Sequence, residues 1–272
     1  MYRLYKLRFL QDLTLGRYFP GDSALHRLDS RTKIVCSLML MLTVFFIGNV
    51  VAIVLFLFLS ILLFPAAKIP LHLFWRYVTA FKWLYLITFL IHLFFHSGHE
   101  ILRIPLIGLA VTTEGITAGI LFTVRIAVLV LVSTILMAVA TPQELTDGLE
   151  KIFRPLKFFG LPVSEGALVV SIALRFVPIL MQEAKEISKA QAARGVELEG
   201  SRIAVIRNML PMVFPLFAGA LKKADDLALA LEARAYRCGG KRTQMLTRNP
   251  ALHDFTAISV VTITAVLFIL YG

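Results

Sequence analysis

Charged residues are scarce in this sequence, and their scarcity excludes an ordinary soluble domain. Asp, Glu, Lys and Arg make up 17% of the 272 residues, whereas about a quarter is typical of soluble proteins. Hydrophobic residues reach 58%, and the mean hydropathy is +0.80. The stretch from Ile34 to Ala67 contains no charged residue. This composition predicts a membrane protein, because so long an uncharged stretch is typical of helices surrounded by lipid.

Several other sequence features are absent or unfavourably placed, and each argues against one kind of bond, site or targeting segment. The two cysteines are Cys36 in an apolar run and Cys238 in a basic tail, so no disulfide is expected. The chain has no Gly-x4-Gly-Lys-Ser/Thr phosphate loop, and ATP hydrolysis is therefore expected on another chain. Asp225 and Asp226 are the only adjacent aspartates, and on a helix they point about 100° apart, which is poor geometry for one metal ion. No short apolar core precedes Ile34, which argues against a cleaved signal peptide.

Basic residues outnumber acidic ones and indicate the orientation. The formal net charge is +11. In a membrane protein this excess is explained by Lys and Arg that remain in cytoplasmic loops and face anionic lipid, so we expect no nucleic acid partner. Seven basic residues precede the first apolar run, whereas the turn at Gly48-Asn49 has none. The N-terminus is therefore predicted to be cytoplasmic.

Apolar runs predict an all-α membrane protein with about five transmembrane helices. One helix over Ile34–Ala67 would be roughly 50 Å long, so Gly48-Asn49 is predicted to divide it into two spans. The other spans are expected at Trp83–Phe95, from Thr113 to about Ala140, and at Phe255–Leu270. A loop is predicted over Ser97–Thr113, which contains Gly98, Pro105 and Gly108.

These spans divide the chain into three parts, of which the middle part is the most informative. Residues 1–141 form the cytoplasmic N-terminus and a four-span membrane domain, 142–250 a cytoplasmic helical domain, and 251–272 a C-terminal transmembrane helix. The middle part is predicted to contain two helices, from Ser164 to Arg194 and from about Arg202 to Tyr236. Each helix begins apolar, becomes amphipathic and ends at an Ala-Arg-x triplet.

The two arginines at these helix ends, Arg194 and Arg234, are candidate binding residues. A helix C-terminus carries partial negative charge, and a nearby Arg is stabilised there by about 0.3–1 kcal/mol. The guanidinium is a permanently charged planar fork that suits a carboxylate. One such Arg is most simply an ordinary basic residue near a helix end, but two matched tips favour docking into acidic grooves of another protein.

Three motifs carry a resemblance to a known family. Pro20-Gly21-Asp22-Ser23 begins a signature that continues through Leu28-Asp29-Ser30-Arg31-Thr32-Lys33, and Ala192-Ala193-Arg194-Gly195 and Glu232-Ala233-Arg234-Ala235-Tyr236-Arg237 end the two long helices. Together they resemble the transmembrane T component (EcfT) of energy-coupling-factor transporters over nearly the whole chain. The second tip departs from the family pattern, because Ala235 stands where Gly is usual.

The resemblance implies a non-catalytic scaffold in the cell membrane of a prokaryote. In this family the long helices are coupling helices, whose tips dock onto two ATP-binding-cassette ATPases, and whose apolar parts hold a small membrane S component that binds the vitamin, other micronutrient or metal. The chain itself is then expected to bind no cofactor, since ATP and Mg belong to the ATPases. The implied ATPase-docking residues are Ala193, Arg194, Gly195, Ala233, Arg234 and Ala235. The implied S-component contacts are Leu174, Phe176, Val177, Leu180, Met209, Leu210, Phe214 and Phe217.

Two other functions and one other site remain open at the level of sequence. A membrane-embedded transferase would need clustered carboxylates at the cytoplasmic face, and a conventional permease would need polar residues along its spans. His92, His96 and His99 recur at helical spacing, which is compatible with a metal site but more often marks a polar membrane interface. Arg125, inside a predicted span, is expected to be paired or to reach the interface.

Overall fold

The structure is a computed structural model that describes residues 19, 21–97, 99–104, 109–194, 202–237 and 251–272. Two compact units divide the described residues. The multi-helix unit comprises those within Leu15–Ile152 and Leu246–Gly272, and the paired-helix unit comprises those within Phe153–Met245.

The multi-helix unit is built from apolar helices and one short hairpin. Its helices are α1 (Ala24–Arg27), α2 (Ser30–Phe46), α3 (Val50–Ala66), α4 (Leu71–Ala80), α5 (Lys82–Phe95), α6 (Thr113–Val139), α7 (Pro142–Phe153, whose last residue falls in the other unit) and α10 (Leu252–Tyr271). Two antiparallel strands, β1 (Glu100–Ile104) and β2 (Leu109–Thr112), join α5 to α6. The segment Ser97–Thr113, which was predicted to be a loop, therefore contains two paired strands. The physical reason is that two short aliphatic runs flank Pro105 and Gly108.

Short polar side chains determine where several of these helices begin. Asp29 Oδ1 accepts from the Ser30 N–H at 3.0 Å, and Asn49 Oδ1 accepts from the Val51 N–H at 2.9 Å. Thr112 Oγ1 accepts from the Gly115 N–H at 3.0 Å. Each contact satisfies an amide at a helix N-terminus that has no partner within the helix. The division of the long uncharged stretch at Gly48-Asn49 is confirmed, because α2 ends at Phe46 and α3 begins at Val50.

Helix α6 runs through the core of the multi-helix unit. One cluster of buried side chains joins Phe64 of α3 to Leu131 and Ile135 of α6, and a second joins Phe56 of α3 to Val128 of α6. Helix α5 lies close to α6, since a Cβ added at Gly119 would lie 3.1 Å from the ring of Phe89. The small residue thus permits close packing of two membrane helices.

Arg125 has a structural role inside this unit. Its Nε donates to the Val44 carbonyl at 3.1 Å, and its Nη2 donates to the Ile47 carbonyl at 3.0 Å. Its guanidinium also lies 5.0 Å from the centre of the Phe122 ring. Carbonyls at the end of a helix have no partner within the helix, and Arg125 supplies hydrogen bonds to two such carbonyls at the end of α2. The expectation that Arg125 is paired is therefore confirmed.

The predicted all-α membrane class is confirmed, with the hairpin as an addition. In the described part of the chain, α6, α8 (Val163–Ala193) and α10 are long and apolar enough to cross a membrane, and the bent pair Phe74–Ala80 and Lys82–Phe95 forms a fourth candidate with a 51° bend. Helices α2 and α3 have 17 residues each, or about 25 Å, slightly less than a hydrocarbon core of roughly 30 Å. Helix α8 is a candidate membrane span by this criterion because its first half is apolar.

The paired-helix unit contains two long helices. After a 3-10 helix (Arg154–Phe159) come α8 and α9 (Arg202–Ala233). The observed ends of both helices lie no more than three residues from those predicted from sequence. Pro178 lies inside α8, and Pro211 and Pro215 lie inside α9.

Candidate functional site

The first helix tip ends at Arg194, as the sequence predicts. Arg194 is the C-cap of α8, with φ −84° and ψ 6°. Its backbone N–H donates to the Gln191 carbonyl at 3.0 Å and to the Ala190 carbonyl at 3.3 Å. These bonds hold the arginine backbone on the last turn, while its side chain is exposed. Gly195, the other member of the predicted triplet, lies outside the described residues.

The second tip has a defined capping geometry. The Ala235 N–H donates to the Glu232 carbonyl at 2.8 Å, and the Tyr236 N–H donates to the Leu231 carbonyl at 3.0 Å. This pair of bonds is the Schellman motif, with Arg234 at the C-cap and Ala235 at the following position. Ala235 accordingly has a φ of +54°, a left-handed conformation that costs a non-glycine residue roughly 1–2 kcal/mol.

This geometry explains why the alanine at this position matters. Gly is the usual residue after the C-cap because it has no Cβ to clash in the left-handed region. The chain keeps the Schellman motif with Ala235, so the departure from the family pattern leaves the tip intact but strained. The Arg234 side chain is exposed, like that of Arg194.

The two helices are joined by a polar contact that the sequence analysis missed. Lys223 Nζ of α9 donates to Glu183 Oε2 of α8 at 2.5 Å. A Cβ added at Gly219, one turn before Lys223, would lie 2.5 Å from Glu183 Oε1. Gly219 thus leaves the space in which the carboxylate lies against α9. The sequence feature that permits such a close approach is the Ala218-Gly219-Ala220 stretch of α9.

Apolar side chains cover the outside of α8 and α9. Among the predicted S-component contacts, Val177, Leu210, Phe214 and Phe217 are exposed, with Phe214 79% exposed. Leu174, Phe176 and Leu180 are half-buried, and the side chain of Met209 lies outside the described residues. The same surface contains exposed residues that the sequence analysis did not single out as contacts, namely Val169, Val170, Val213 and Leu221.

The N-terminal signature lies in the multi-helix unit and joins elements distant in sequence. The Asp29 N–H donates to Asp254 Oδ1 of α10 at 2.8 Å, and Asp254 Oδ2 accepts from the Ala251 N–H at 2.8 Å. Lys33 Nζ donates to the Val139 carbonyl at 3.1 Å and to Glu144 Oε2 at 3.2 Å. The signature thus connects the beginning of α2 with the beginning of α10 and with the junction of α6 and α7.

Helix α7 lies unusually close to the beginning of α2. A Cβ added at Gly148 would lie 3.1 Å from the Ser30 backbone carbon and 2.8 Å from Ile34 Cδ1. Lys151 of α7 is 4.0 Å from Asp29 Oδ1. Helix α7 is therefore held against the beginning of α2 by close packing at Gly148 and by two ion pairs, Lys33–Glu144 and Lys151–Asp29.

The histidine series does not form a metal site in the described part of the chain. His92 Nδ1 is 2.9 Å from the Thr88 carbonyl, and its ring stacks on Phe122 with centres 4.3 Å apart. His96 and His99 contribute backbone contacts to Thr112 and Glu114. No group of three potential metal ligands occurs among the described residues.

Known proteins of one family are similar to this chain over most of its length. A family model described as cobalt transport protein (CbiQ) matches residues 21–245. The energy-coupling factor transporter transmembrane protein EcfT of Acidaminococcus fermentans is 40% identical over 237 residues, covering 87% of this chain and 88% of that protein. EcfT of Listeria innocua is 39% identical over 261 residues, covering 95% and 98%.

A third relative extends the match over almost the full length. EcfT of Bacillus subtilis is 36% identical over 264 residues, covering 96% of this chain and 99% of that protein. The matched residues include both helix tips and the N-terminal signature. The chain therefore belongs to the EcfT family of energy-coupling factor transporter transmembrane proteins.

Proposed function

We propose that this chain couples ATP hydrolysis by two partner ATPases to movement of a small substrate-binding membrane subunit, the S component, during uptake of a vitamin, another micronutrient or a metal. The observation that carries this proposal is the pair of exposed arginines, Arg194 and Arg234, each fixed at the end of a helix of about thirty residues. A rigid helix with a charged end can transmit a displacement over a long distance. The chain then acts as a scaffold without catalysis or a cofactor of its own.

Each arginine tip is proposed to dock into an acidic groove on one ATPase. In the described residues no ion pair engages either guanidinium, so both are available to a partner carboxylate. A guanidinium forms paired hydrogen bonds with a carboxylate, which adds geometric specificity to the charge attraction. Ala193 and Ala233 precede the arginines and are small enough to let a partner surface approach the tip. Gly195 and Ala235 follow them in sequence.

The exposed apolar side chains of α8 and α9 are proposed to contact the S component. Phe214, Phe217 and Val177 would otherwise expose a large apolar patch, which is typical of an interaction site. On this proposal the segment 142–250 lies on the cytoplasmic side of a prokaryotic cell membrane, with the N-terminus on the same side. The apolar first half of α8 then faces a partner protein rather than spanning the bilayer.

The tip proposal is tested by charge reversal. Arg194→Glu and Arg234→Glu should each reduce co-purification of the ATPases by about tenfold or more, because a carboxylate would face the acidic groove. The double variant should lose both ATPases. Pull-down from cells that express the full complex measures the assembly, and substrate uptake into the same cells measures the coupling.

Matched controls are available on the same helices. Lys185 of α8 and Lys222 of α9 are exposed and lie more than two turns before the tips. Lys185→Glu and Lys222→Glu make the same change in charge without touching either end, and they should assemble normally. Normal assembly and uptake by the Arg194→Glu, Arg234→Glu double variant would refute tip docking.

A further inference from the structure

The multi-helix unit contains an elongated cavity of about 360 Å³. Its lining residues recur at helical spacing on three helices, from Lys33 to Leu40 on α2, from Val132 to Val139 on α6 and from His253 to Val261 on α10. A run of seven or eight residues rises by about 10–12 Å. The cavity therefore follows these helices for two turns.

The walls of the cavity change character along its length. Most of the lining is aliphatic, including Leu40, Ile135 and Val260, whereas Lys33 and His253 line one end. That end is where α2 and α10 begin and α6 finishes, and residues of α1 also line the cavity there. The cavity is thus apolar along its depth and has basic side chains at one end, of which Lys33 is paired with Glu144. This division matches that of a phospholipid into an acyl chain and a polar headgroup.

The cavity is open on one side, so its contents are set by what lies outside it. Water does not fill an apolar space that lacks polar partners. The cavity reaches the outside of the bundle along α10, where Val260 is 62% exposed. Because α6 and α10 have the length and composition of membrane spans, hydrocarbon is the solvent outside that opening.

The basic end has unused capacity for an anion. Lys33 Nζ has two acceptors among the described residues, Val139 O and Glu144 Oε2, and an ammonium has three N–H donors. Arg27 is exposed on α1 between two lining residues, Leu25 and Leu28, and His253 is exposed on α10. We propose that the cavity binds one acyl chain of an anionic phospholipid, whose headgroup lies beside Arg27, Lys33 and His253.

Photolabelling of the full-length wild-type chain tests this inference. The probe is phosphatidylglycerol with a diazirine at the middle of one acyl chain, in nanodiscs of phosphatidylcholine. We expect labelled residues on the cavity faces of α2, α6 and α10, and loss of labelling when unlabelled phosphatidylglycerol is added. The same diazirine chain on phosphatidylcholine should label these faces at least about five-fold less, because basic residues near the surface attract anionic lipid.

A pair of phenylalanine substitutions on α10 separates the cavity from the general lipid surface. Ala257 lines the cavity, whereas Ser259 is exposed and does not line it. Ala257→Phe should fill the cavity and reduce the labelling at least about five-fold, since bound lipid and side chain compete for one volume, and Ser259→Phe should leave it unchanged. Labelling spread evenly over the outer faces of the helices would overturn the proposal.

Two other results would also overturn it. Equal labelling by the phosphatidylglycerol and phosphatidylcholine probes would show that the site does not select an anionic headgroup. Labelling of the wild type that does not fall when unlabelled phosphatidylglycerol is added would exclude a saturable site. Absence of labelling on the cavity faces, with Cys36 cross-linked instead to a co-purified protein, would assign the cavity to a partner helix. The competition measurement requires no variant, so it stands if Ala257→Phe does not fold.

Discussion

The two units differ in what becomes of their apolar side chains. Every buried hydrophobic residue in the described part of the chain belongs to the multi-helix unit, where Phe56 and Phe64 are completely inaccessible. In the paired-helix unit the large apolar residues are exposed or half-buried, and an ion pair, Glu183–Lys223, links α8 to α9. Since burial of apolar surface is the main stabilising contribution to folding, the first unit is stabilised by its own packing, whereas the described residues of the second unit provide little such burial.

Matched phenylalanine substitutions give the largest expected effect and test this contrast directly. Phe56→Ala removes a fully buried ring that also packs edge-on against Phe268, with centres 5.1 Å apart, and should lower the free energy of unfolding by about 3–5 kcal/mol. Phe214→Ala removes an exposed ring and should change it by less than about 0.5 kcal/mol in the chain without partners. Denaturant unfolding in detergent micelles measures both. Equal losses would mean that α9 has a core of its own.

The next largest effect concerns the polar contacts that complete the multi-helix unit. Asp254 is buried and accepts two backbone hydrogen bonds, one on each carboxylate oxygen. Asp254→Asn replaces one acceptor with an NH₂ donor that faces an N–H, so we expect a loss of about 2–3 kcal/mol.

Asp147→Asn is the control for Asp254→Asn. Asp147 is an exposed carboxylate on α7 of the same unit, and the substitution makes the same change in charge. It should alter the thermal unfolding midpoint little, because surface substitutions usually change stability by less than about 0.5 kcal/mol. Similar shifts for the two variants would show that charge, rather than the two backbone contacts, determines the loss.

The smallest expected effect is a stabilisation in the paired-helix unit. Ala235→Gly should relieve the cost of φ +54° and slow hydrogen exchange of the Tyr236 amide about five-fold, which corresponds to roughly 1 kcal/mol. Ala233→Gly makes the same change two residues earlier, inside the helix, and should accelerate that exchange instead. Faster exchange in Ala235→Gly would contradict the capping geometry described for this tip.

Features that depend on local sequence were predictable. The ends of α8 and α9 follow from where the apolar and amphipathic patterns stop, and Gly48-Asn49 was sufficient to place the break between α2 and α3. The hairpin between α5 and α6 was also signalled by two aliphatic runs around Pro105 and Gly108, but proline and glycine alone led to the prediction of a loop.

Features that depend on long-range pairing were not predictable. Nothing in the sequence near Asp29 identifies Asp254 as its partner, and nothing near Glu183 selects Lys223 over neighbouring cations. Arg125 was recognisable as costly in a membrane, but its acceptors, the Val44 and Ile47 carbonyls, belong to another helix. The strain at Ala235 required the backbone angle, because the sequence showed only that alanine stands where glycine is usual.

The hydrogen bond from Asp29 to Asp254 has a consequence for how the protein is made. The two residues are separated by 225 positions, which at the usual speed of translation, about 5–20 residues per second, corresponds to roughly 10–45 s of synthesis. During that interval the Asp29 amide lacks its acceptor, while the helices already inserted can pack only with one another. Helix α10 therefore supplies its contact to the beginning of α2 long after α2 has been synthesised, and this part of the bundle is complete only when α10 arrives.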